Sequence, residues 1–397
     1  MRSVEEALDA ILAGARQTGT ETLPLDRCAG RVPASFVVAA TGDVPPFDNS
    51  SMDGFALRAA DAPGNLRLIG EVAAGSATPP RVEPRSAVRI MTGAPMPPGA
   101  DAVVPIEDAR EEDDAVEVPA VERGAYVRAA GHDTRSGEEV ELPEEPLGPA
   151  GIAVLASLGI GSLEVRRRPR VAILSTGDEL MDPGADLAPG QIHDANGPSL
   201  AAAAGEAGGE AVVLPRVGDD ADGIEEQVRA AVQVADLLVV SGGVSVGRHD
   251  HVRDVIERLG RLELWRIRVQ PGKPLAFGAV DGLPVLGLPG NPVSALVTFE
   301  LFARPLIRRM LGLRGSGRAT LPVVAAERMA KDPDRRAYLR VVVAQAEGGL
   351  EARSAGGQAS SQLRPLAAAN ALLVVPEGEP AAEAGRTYDA LLLGGIR

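Results

Sequence analysis

Between residues 165 and 312 the chain repeats one pattern: a short apolar run, a turn of glycine and small polar residues, then an amphipathic stretch. The runs Val171–Leu174, Ala211–Leu214, Leu237–Val240 and Pro284–Leu288 have no polar face, which suits strands covered on both sides of a sheet. Helical periodicity follows at 197–207, 222–234 and 250–259, and a long helix is expected from Pro292 to Leu311. This alternation predicts a parallel α/β sheet with helices on its faces. In such a sheet every strand-to-helix turn falls at one edge, the edge where open α/β sheets bind ligands. The turns are therefore the first place to look for chemistry.

Three turns stand out. Leu237-Leu-Val-Val-Ser-Gly-Gly-Val-Ser-Val-Gly247 leads into Arg248-His-Asp-His251 and a helix. Its Ser241, Gly242, Gly243, Ser245 and Gly247 let backbone N–H groups approach an anion and aim a helix N-terminus at it; taken alone, a plain tight turn explains it too. The second is Val285-Leu-Gly-Leu-Pro-Gly-Asn-Pro-Val-Ser294, where Pro289 and Gly290 form the turn, Asn291 suits an N-cap and Pro292 a first helical residue. The third, Val171-Ala-Ile-Leu-Ser-Thr-Gly-Asp-Glu-Leu180, places Ser175, Thr176 and Gly177 after a strand and acids after them. Gly243-Val-Ser-Val-Gly247 matches Gly-x-Ser-x-Gly, but His249 and His251 lie too near the serine for a hydrolase triad. Nor do these two histidines share a helix face on which to hold a transition metal.

Carboxylates decorate the turns: Asp178, Glu179, Asp194, Asp219 and Asp250, with Asp53 and Asp133 in loops farther upstream. Each alone is equally a turn or helix-start residue. Together, acids beside an anion pocket repel the anion unless a hard cation stands between them. Mg²⁺ takes oxygen ligands and bridges to phosphate, so a Mg²⁺-dependent phosphate site reconciles the two features. The net charge of −15 disfavours nucleic acid and anionic membrane as partners, and any anion must be held by local devices. Of 40 Lys and Arg residues, only Lys273 and Lys331 are lysine. Lys273 lies in Pro271-Gly-Lys-Pro274, where a compact ammonium suits a point anion, a stray lysine being the plain alternative. The single Cys28 excludes an internal disulfide framework and a thiolate metal cage. No run of about 18 apolar residues and no basic-then-apolar leader is seen, so a cytoplasmic location is expected.

Outside the α/β segment the texture changes. Ser3 and Glu6 form a capping box before an apolar stripe of Val4, Leu8, Ile11 and Leu12. Short β-like runs follow (Arg67–Val72, Ala87–Met91, Ala102–Ile106, Ala115–Val118), and 147–160 reads as a helix able to pack on the first one. The acidic stretches Glu111–Asp114 and Glu138–Glu145 read as solvated loops. Beyond Gly317 short strands return at Leu321–Ala325, Tyr338–Gln345, Ala371–Val375 and Thr387–Leu393. The expected architecture is a multidomain α/β protein. Residues 1–40 and 140–166 form a helical linker platform, 41–139 an inserted β-rich domain, 167–316 the parallel-sheet ligand-binding domain, and 317–397 a small β-barrel-like domain.

Six segments, in order and over almost the whole chain, resemble the molybdopterin molybdenumtransferases, the family of MoeA and the C-terminal part of gephyrin. They are Pro45-Pro-Phe-Asp-Asn-Ser-Ser-Met-Asp-Gly-Phe-Ala56, Ile90-Met-Thr-Gly-Ala-Pro95, Ser175-Thr-Gly-Asp-Glu-Leu180, Ser241–Gly247, Pro271-Gly-Lys-Pro274 and Leu288-Pro-Gly-Asn-Pro-Val-Ser294. A related adenylyltransferase domain shares the last four in part; the first two and the terminal β domain separate the families. The resemblance implies an enzyme that takes adenylylated molybdopterin and molybdate, cleaves the phosphoanhydride with Mg²⁺, and releases molybdenum cofactor and AMP. Its catalytic positions fall on Asp53, Thr92, Asp133, Glu179, Asp219 and Asp250, with Glu179 and Asp250 as Mg²⁺ ligands. Pro289, Pro292 and, in the terminal domain, Ser360 are implied as binding positions. The resemblance also implies an elongated homodimer in which Asp53 and Thr92 of one subunit complete the site of the other, and the preceding adenylyltransferase as a transient partner. Two departures touch the site: Arg248 where many members carry an acid, and Gln270 where some carry a lysine, for which Arg266 and Arg268 are candidate substitutes. A tungstate-selective version of the reaction and a pterin-binding scaffold without turnover remain open alternatives.

Overall fold

The apolar runs of the α/β segment do pair side by side in a computed structural model that describes residues 1–243, 251–315 and 317–397. Strands Arg170–Ser175, Glu210–Val213, Leu237–Ser241 and Leu283–Leu288 are parallel. In space the order is Glu210–Val213, Arg170–Ser175, Leu237–Ser241, Leu283–Leu288, then Pro274–Val280 and Gly260–Arg266. The last two both join the parallel core antiparallel, at one edge. The cause is local. Asp281 and Gly282 alone connect Pro274–Val280 to Leu283–Leu288, with φ of 48° and 85°. A two-residue Asp-Gly turn of that hand makes a hairpin, whereas a parallel return needs a long crossover.

Successive side chains leave the sheet on opposite faces. Val171, Ile173, Val239 and Leu286 enter one core with the helix Asn196–Glu206, and Ala172, Leu174, Val240 and Val285 enter the other with Ala221–Val234 and His251–Leu259. Burial on both faces is why the inner runs carry no polar alternation; the edge strand Glu210–Val213 departs from that expectation, with Val213 60% exposed. The first helix, Val4–Ala13, closes its capping box through Ser3 and Glu6 and buries Val4, Ala7 and Ile11 in the first of these cores. The helix beginning at Pro292 reaches Met310, but Phe299–Ala303 is π-helical.

Two compact units make up the chain. One comprises Met1–Glu21, Gly30–Ala34 and Val165–Arg397, and the other Thr22–Ala29 and Ser35–Glu164. Besides the α/β sheet, the first unit contains a closed five-stranded barrel of Thr320–Ala325, Gly349–Ser354, Arg336–Ala346, Ala371–Val375 and Thr387–Leu392. Gly349–Ser354 is a strand the sequence did not signal. The second unit is built on a six-stranded sheet ordered Ala102–Pro105, Gly54–Leu57, Ser86–Ile90, Gly64–Val72, Ala115–Val118, Arg110–Glu112. Gly54–Leu57 is buried throughout, with Phe55 and Leu57 in one core and Ala56 in the other. The acidic stretches expected as loops supply edge strands instead: Arg110–Glu112 is exposed along its length, and Glu139–Glu141 pairs with Val37–Ala39. Charged side chains on an edge discourage further pairing without preventing the strand.

Below the sheet, Arg167 grips Asp236 with two hydrogen bonds of 2.9 and 2.8 Å, and the Arg170 N–H donates to the same carboxylate at 2.7 Å. Burial pushes the Asp236 carboxyl up, but the Arg167 and Arg170 hydrogen bonds outweigh it and hold its pKa below the ordinary aspartate value. A depressed folded pKa means stability that is present above the unfolded pKa, about 3.9, and lost as pH falls through the folded value. Asp236→Asn should therefore unfold at lower urea than the parent at pH 7, with the gap shrinking below about pH 4.

Candidate functional site at the carboxyl edge of the sheet

Three strand ends meet at one level, because Ser175 pairs with Ser241 and Ser241 with Leu288. Backbone bonds link the turns: the Thr176 N–H donates to the Ser241 carbonyl at 3.1 Å, and the Gly242 N–H to the Leu288 carbonyl at 3.3 Å. After Ser175 the chain crosses to Glu210–Val213 on one side, while after Ser241 it builds the strands on the other. Diverging connections of this kind open a crevice between two strand ends. Gly242 and Gly243 take left-handed backbone at φ 96° and 60°. A Cβ on Gly242 would lie 2.7 Å from the Thr176 carbonyl oxygen, and one on Gly243 would lie 2.3 Å from Val252. Only glycine allows this approach.

The crevice widens into a cleft of about 930 Å³. Of the residues picked out from sequence, Thr176, Gly177, Ser241, Gly242 and Gly243 line it from two turns and Pro289, Gly290, Asn291 and Pro292 from the third. Glu179, Asp219, Lys273 and Ser360 line it as well. Ser175 sits just beneath, buried in its strand. Ser245, Gly247 and Asp250, with Arg248 and His249, lie outside the described residues. Asn291 occupies the N-cap position of Pro292–Thr298, but its side chain makes no capping bond.

The floor of the cleft is polar and under-satisfied. Ser175 Oγ, Thr176 Oγ1 and Asn196 Oδ1 are buried with no hydrogen-bond partner among the described residues. Each such atom costs about 1–3 kcal/mol, so a polar ligand gains by pairing with them. Asn196 was not anticipated, yet it ties the turns together: its Nδ2 donates to Ser241 Oγ and to the Gly290 carbonyl, both at 2.7 Å. Asp194 holds it there by accepting from the Asn196 and Gly197 N–H groups at 2.9 and 3.0 Å. The readable signal was Asp194-x-Asn-Gly at a helix start, a capping pattern that needed the strand register to acquire meaning.

The carboxylates divide by role. Asp178 accepts from the Asp219 N–H at 2.9 Å and so fixes the loop that carries Asp219. Glu179 and Asp219 are exposed in the cleft, and among the described residues neither has an ion-pair partner. Gly177, at φ 146°, makes room for Glu179; a Cβ there would stand 2.5 Å from the Glu179 Oε2. Among the described residues the Lys and Arg side chains lining the cleft are Lys273 and Arg335, not Arg266 or Arg268. Gln270 lines the cleft too and accepts from the Asp332 N–H at 3.0 Å. No group of three or more His, Cys, Asp or Glu converges among the described residues. Magnesium is ordinarily held by one or two carboxylates plus phosphate and water, so Glu179 and Asp219 fit an ion whose shell the substrate completes.

Asp53, Thr92 and Asp133 belong to the β-rich unit. There Asp53 Oδ1 accepts from both the N–H and the hydroxyl of Thr92, each at 2.7 Å. The backbone bond first, then the hydroxyl, holds the exposed Asp53 carboxyl below its usual pKa. The loop before Asp53 is pinned at Asp48, whose side chain accepts from Ala130 N–H and whose carbonyl accepts from Met96 N–H. Asp133 is exposed, its N–H on the Val44 carbonyl. Thr92→Val should raise the pH at which Asp53 titrates, since one of two stabilising donors is lost; carboxyl NMR shifts followed against pH check this.

Family models match in chain order: a MoeA N-terminal region (domain I and II) over residues 2–159, a probable molybdopterin binding domain over 172–309, and a MoeA C-terminal region (domain IV) over 322–393. Molybdopterin molybdenumtransferase 2 of Mycobacterium tuberculosis is 37% identical over 394 residues, covering 95% of this chain and 96% of its own. The molybdopterin molybdenumtransferase of Nostoc is 37% identical over 391 residues, 95% of this chain and 89% of its own. The chain belongs to the molybdopterin molybdenumtransferase family. A solved molybdopterin biosynthesis MoeA protein of Pyrococcus horikoshii superposes with a TM-score of 0.82 at 32% identity, covering 100% of both chains. A second MoeA structure from that organism gives 0.84 at 27% identity, covering 99% of this chain and 100% of the other. For this molybdopterin molybdenumtransferase relative, fold and family are as its sequence predicted. Among the described residues no helix is long and apolar enough to cross a membrane.

Proposed function

We propose that this chain inserts molybdenum from molybdate into adenylylated molybdopterin, cleaving the phosphoanhydride and releasing AMP and the finished cofactor. The observation that carries the reading is the cleft at the carboxyl edge, where three glycine-bearing turns and the acids Glu179 and Asp219 share one wall system with Lys273 and Arg335. Backbone N–H groups of the turns bind phosphate and pterin oxygens without the repulsion that a chain of net charge −15 otherwise imposes. Thr176, Asn196 and Ser241 orient the polar edge of the ligand from below. Glu179, with Asp219 on the same cleft wall and Asp250 as the further family position, would hold Mg²⁺ against the phosphates. Bound there, the ion neutralises charge developing on the phosphoanhydride oxygens. Lys273 and Arg335 supply fixed positive charge for the anionic leaving group and oxyanion.

Asp53, Thr92 and Asp133 complete the site from a second subunit in this reading, which makes the working enzyme a homodimer. The reaction is cytoplasmic, and substrate arrives from the preceding adenylyltransferase. Reconstitution tests the proposal: purified chain, adenylylated molybdopterin, molybdate and Mg²⁺ should activate an apo-molybdoenzyme, and EDTA should stop it. Ligand binding without activation would establish a scaffold. Activation by tungstate in preference to molybdate would make it the tungsten counterpart.

A further inference from the structure

Asn196 opens the helix Asn196–Glu206 and is buried at the floor of the cleft. Its side-chain amide has two protons at one end and an acceptor oxygen at the other. The fold decides which end meets which neighbour. The Gly290 carbonyl can only accept, so the end that stands 2.7 Å from it must be the Nδ2 nitrogen. The other Nδ2 proton then goes to Ser241 Oγ, also at 2.7 Å. Both amide protons are spent, and a backbone carbonyl on one turn has set the polarity of a side-chain contact on another. Asp194 fixes the backbone that carries the amide, its Oδ1 accepting from the Asn196 and Gly197 N–H groups.

A serine hydroxyl has a single proton. With its oxygen accepting from Asn196, Ser241 must send that proton elsewhere. Ser175, its partner in the strand register, has an Oγ with no hydrogen-bond partner, and Asn196 Oδ1 has none either, so neither receives it. No other acceptor among the described residues does so. Ser241 borders the cleft at the end of its strand. We propose that Asn196 is a positioning residue for the reaction, which by donating to both Gly290 and Ser241 makes the Ser241 hydroxyl a donor committed to an acceptor oxygen of the bound substrate. This rests on the functional reading above and adds to it the polarity of one contact. Aspartate at 196 has nearly the shape of asparagine and, ionised, no proton to give. Its carboxylate would take the Ser241 proton for itself and leave only lone pairs facing the substrate.

Full-length Ser241→Ala, Asn196→Asp and the double variant form a cycle that isolates the coupling between the two side chains. It is read as Kd for adenylylated molybdopterin without molybdate, and as AMP release once molybdate and Mg²⁺ are added. Ser241→Ala should weaken binding roughly tenfold in the parent, the loss of one hydrogen bond to a charged oxygen. On the Asn196→Asp background the same change should cost less than about twofold, because the hydroxyl no longer donates to substrate. If Asn196 only braces the fold, its replacement lowers the active fraction and leaves the Ser241→Ala factor equal in both backgrounds. Should Asn196→Asp fail to fold, Asn196→Ala closes the same cycle, with a Ser241→Ala factor below about threefold. Equal factors in the two backgrounds, or a parental Kd in Ser241→Ala, overturn the proposal. If the parent binds the substrate but releases no AMP, the functional reading fails, and the binding cycle alone still decides the role of Asn196.

Discussion

Glu179→Gln should lower molybdate-dependent turnover by roughly two to three orders of magnitude while leaving the fold and its stability unchanged. The side chain is exposed in the cleft and makes no ion pair among the described residues, so a neutral isostere removes charge without leaving a buried group unpaired. What it loses, on the function proposed above, is the hard oxygen anion that would hold Mg²⁺ against the substrate phosphates. Binding of adenylylated molybdopterin by the turns should survive, and the Mg²⁺ concentration giving half-maximal rate should rise. Gly177→Ala should reproduce much of the defect from a different residue. A Cβ at 177 stands 2.5 to 3.0 Å from the Glu179 carboxylate, which must move away. Should Glu179→Gln turn over at the parental rate, Glu179 is not a metal ligand in the reaction.

The second large effect is on stability. Glu300, inside the π-helical stretch, receives Arg304 Nε at 2.8 Å and a bidentate pair from Arg318 at 2.7 and 3.0 Å. The three side chains are 9, 7 and 13% exposed, and among the described residues only the more exposed Glu206 is left to balance the two guanidinium groups. Arg318 also donates to the Leu393 carbonyl at 3.3 Å, so the cluster ties the long helix to the end of the barrel. Removing one partner of a buried pair costs about 3–5 kcal/mol, because the remaining charge stays desolvated. Glu300→Ala should therefore unfold at distinctly lower urea, measured by circular dichroism. Its folded fraction should keep the parental KM, since Glu300 does not line the cleft. A stability loss below about 1 kcal/mol would mean that Glu206 or solvent takes over the pairing.

How far the sequence reached depends on what each signal was made of. Strands buried on both faces announced themselves as unbroken apolar runs, and the parallel register then brought their turns together as expected. Gly349–Ser354 and Arg110–Glu112 escaped because exposed or half-exposed strands alternate with charges that read equally well as loop. The Asp281-Gly282 turn carries a hairpin signal of its own, a two-residue Asp-Gly between two apolar runs. Within the site, glycines at positive φ and acids after strand ends were visible from residue type. Asn196 was not, because its meaning is a cross-link between Ser241 and Gly290 made only once the strands are assembled. Arg335 was hidden for another reason: in a chain that uses arginine for nearly all its basic residues, nothing local marks the one that faces a cleft.

The central claim is tested most directly by counting AMP. Chain incubated with adenylylated molybdopterin and Mg²⁺ should release AMP only when molybdate is added, in amounts equal to the molybdenum that becomes bound in cofactor. AMP released at the same rate without molybdate, or no AMP with all components present, would contradict it.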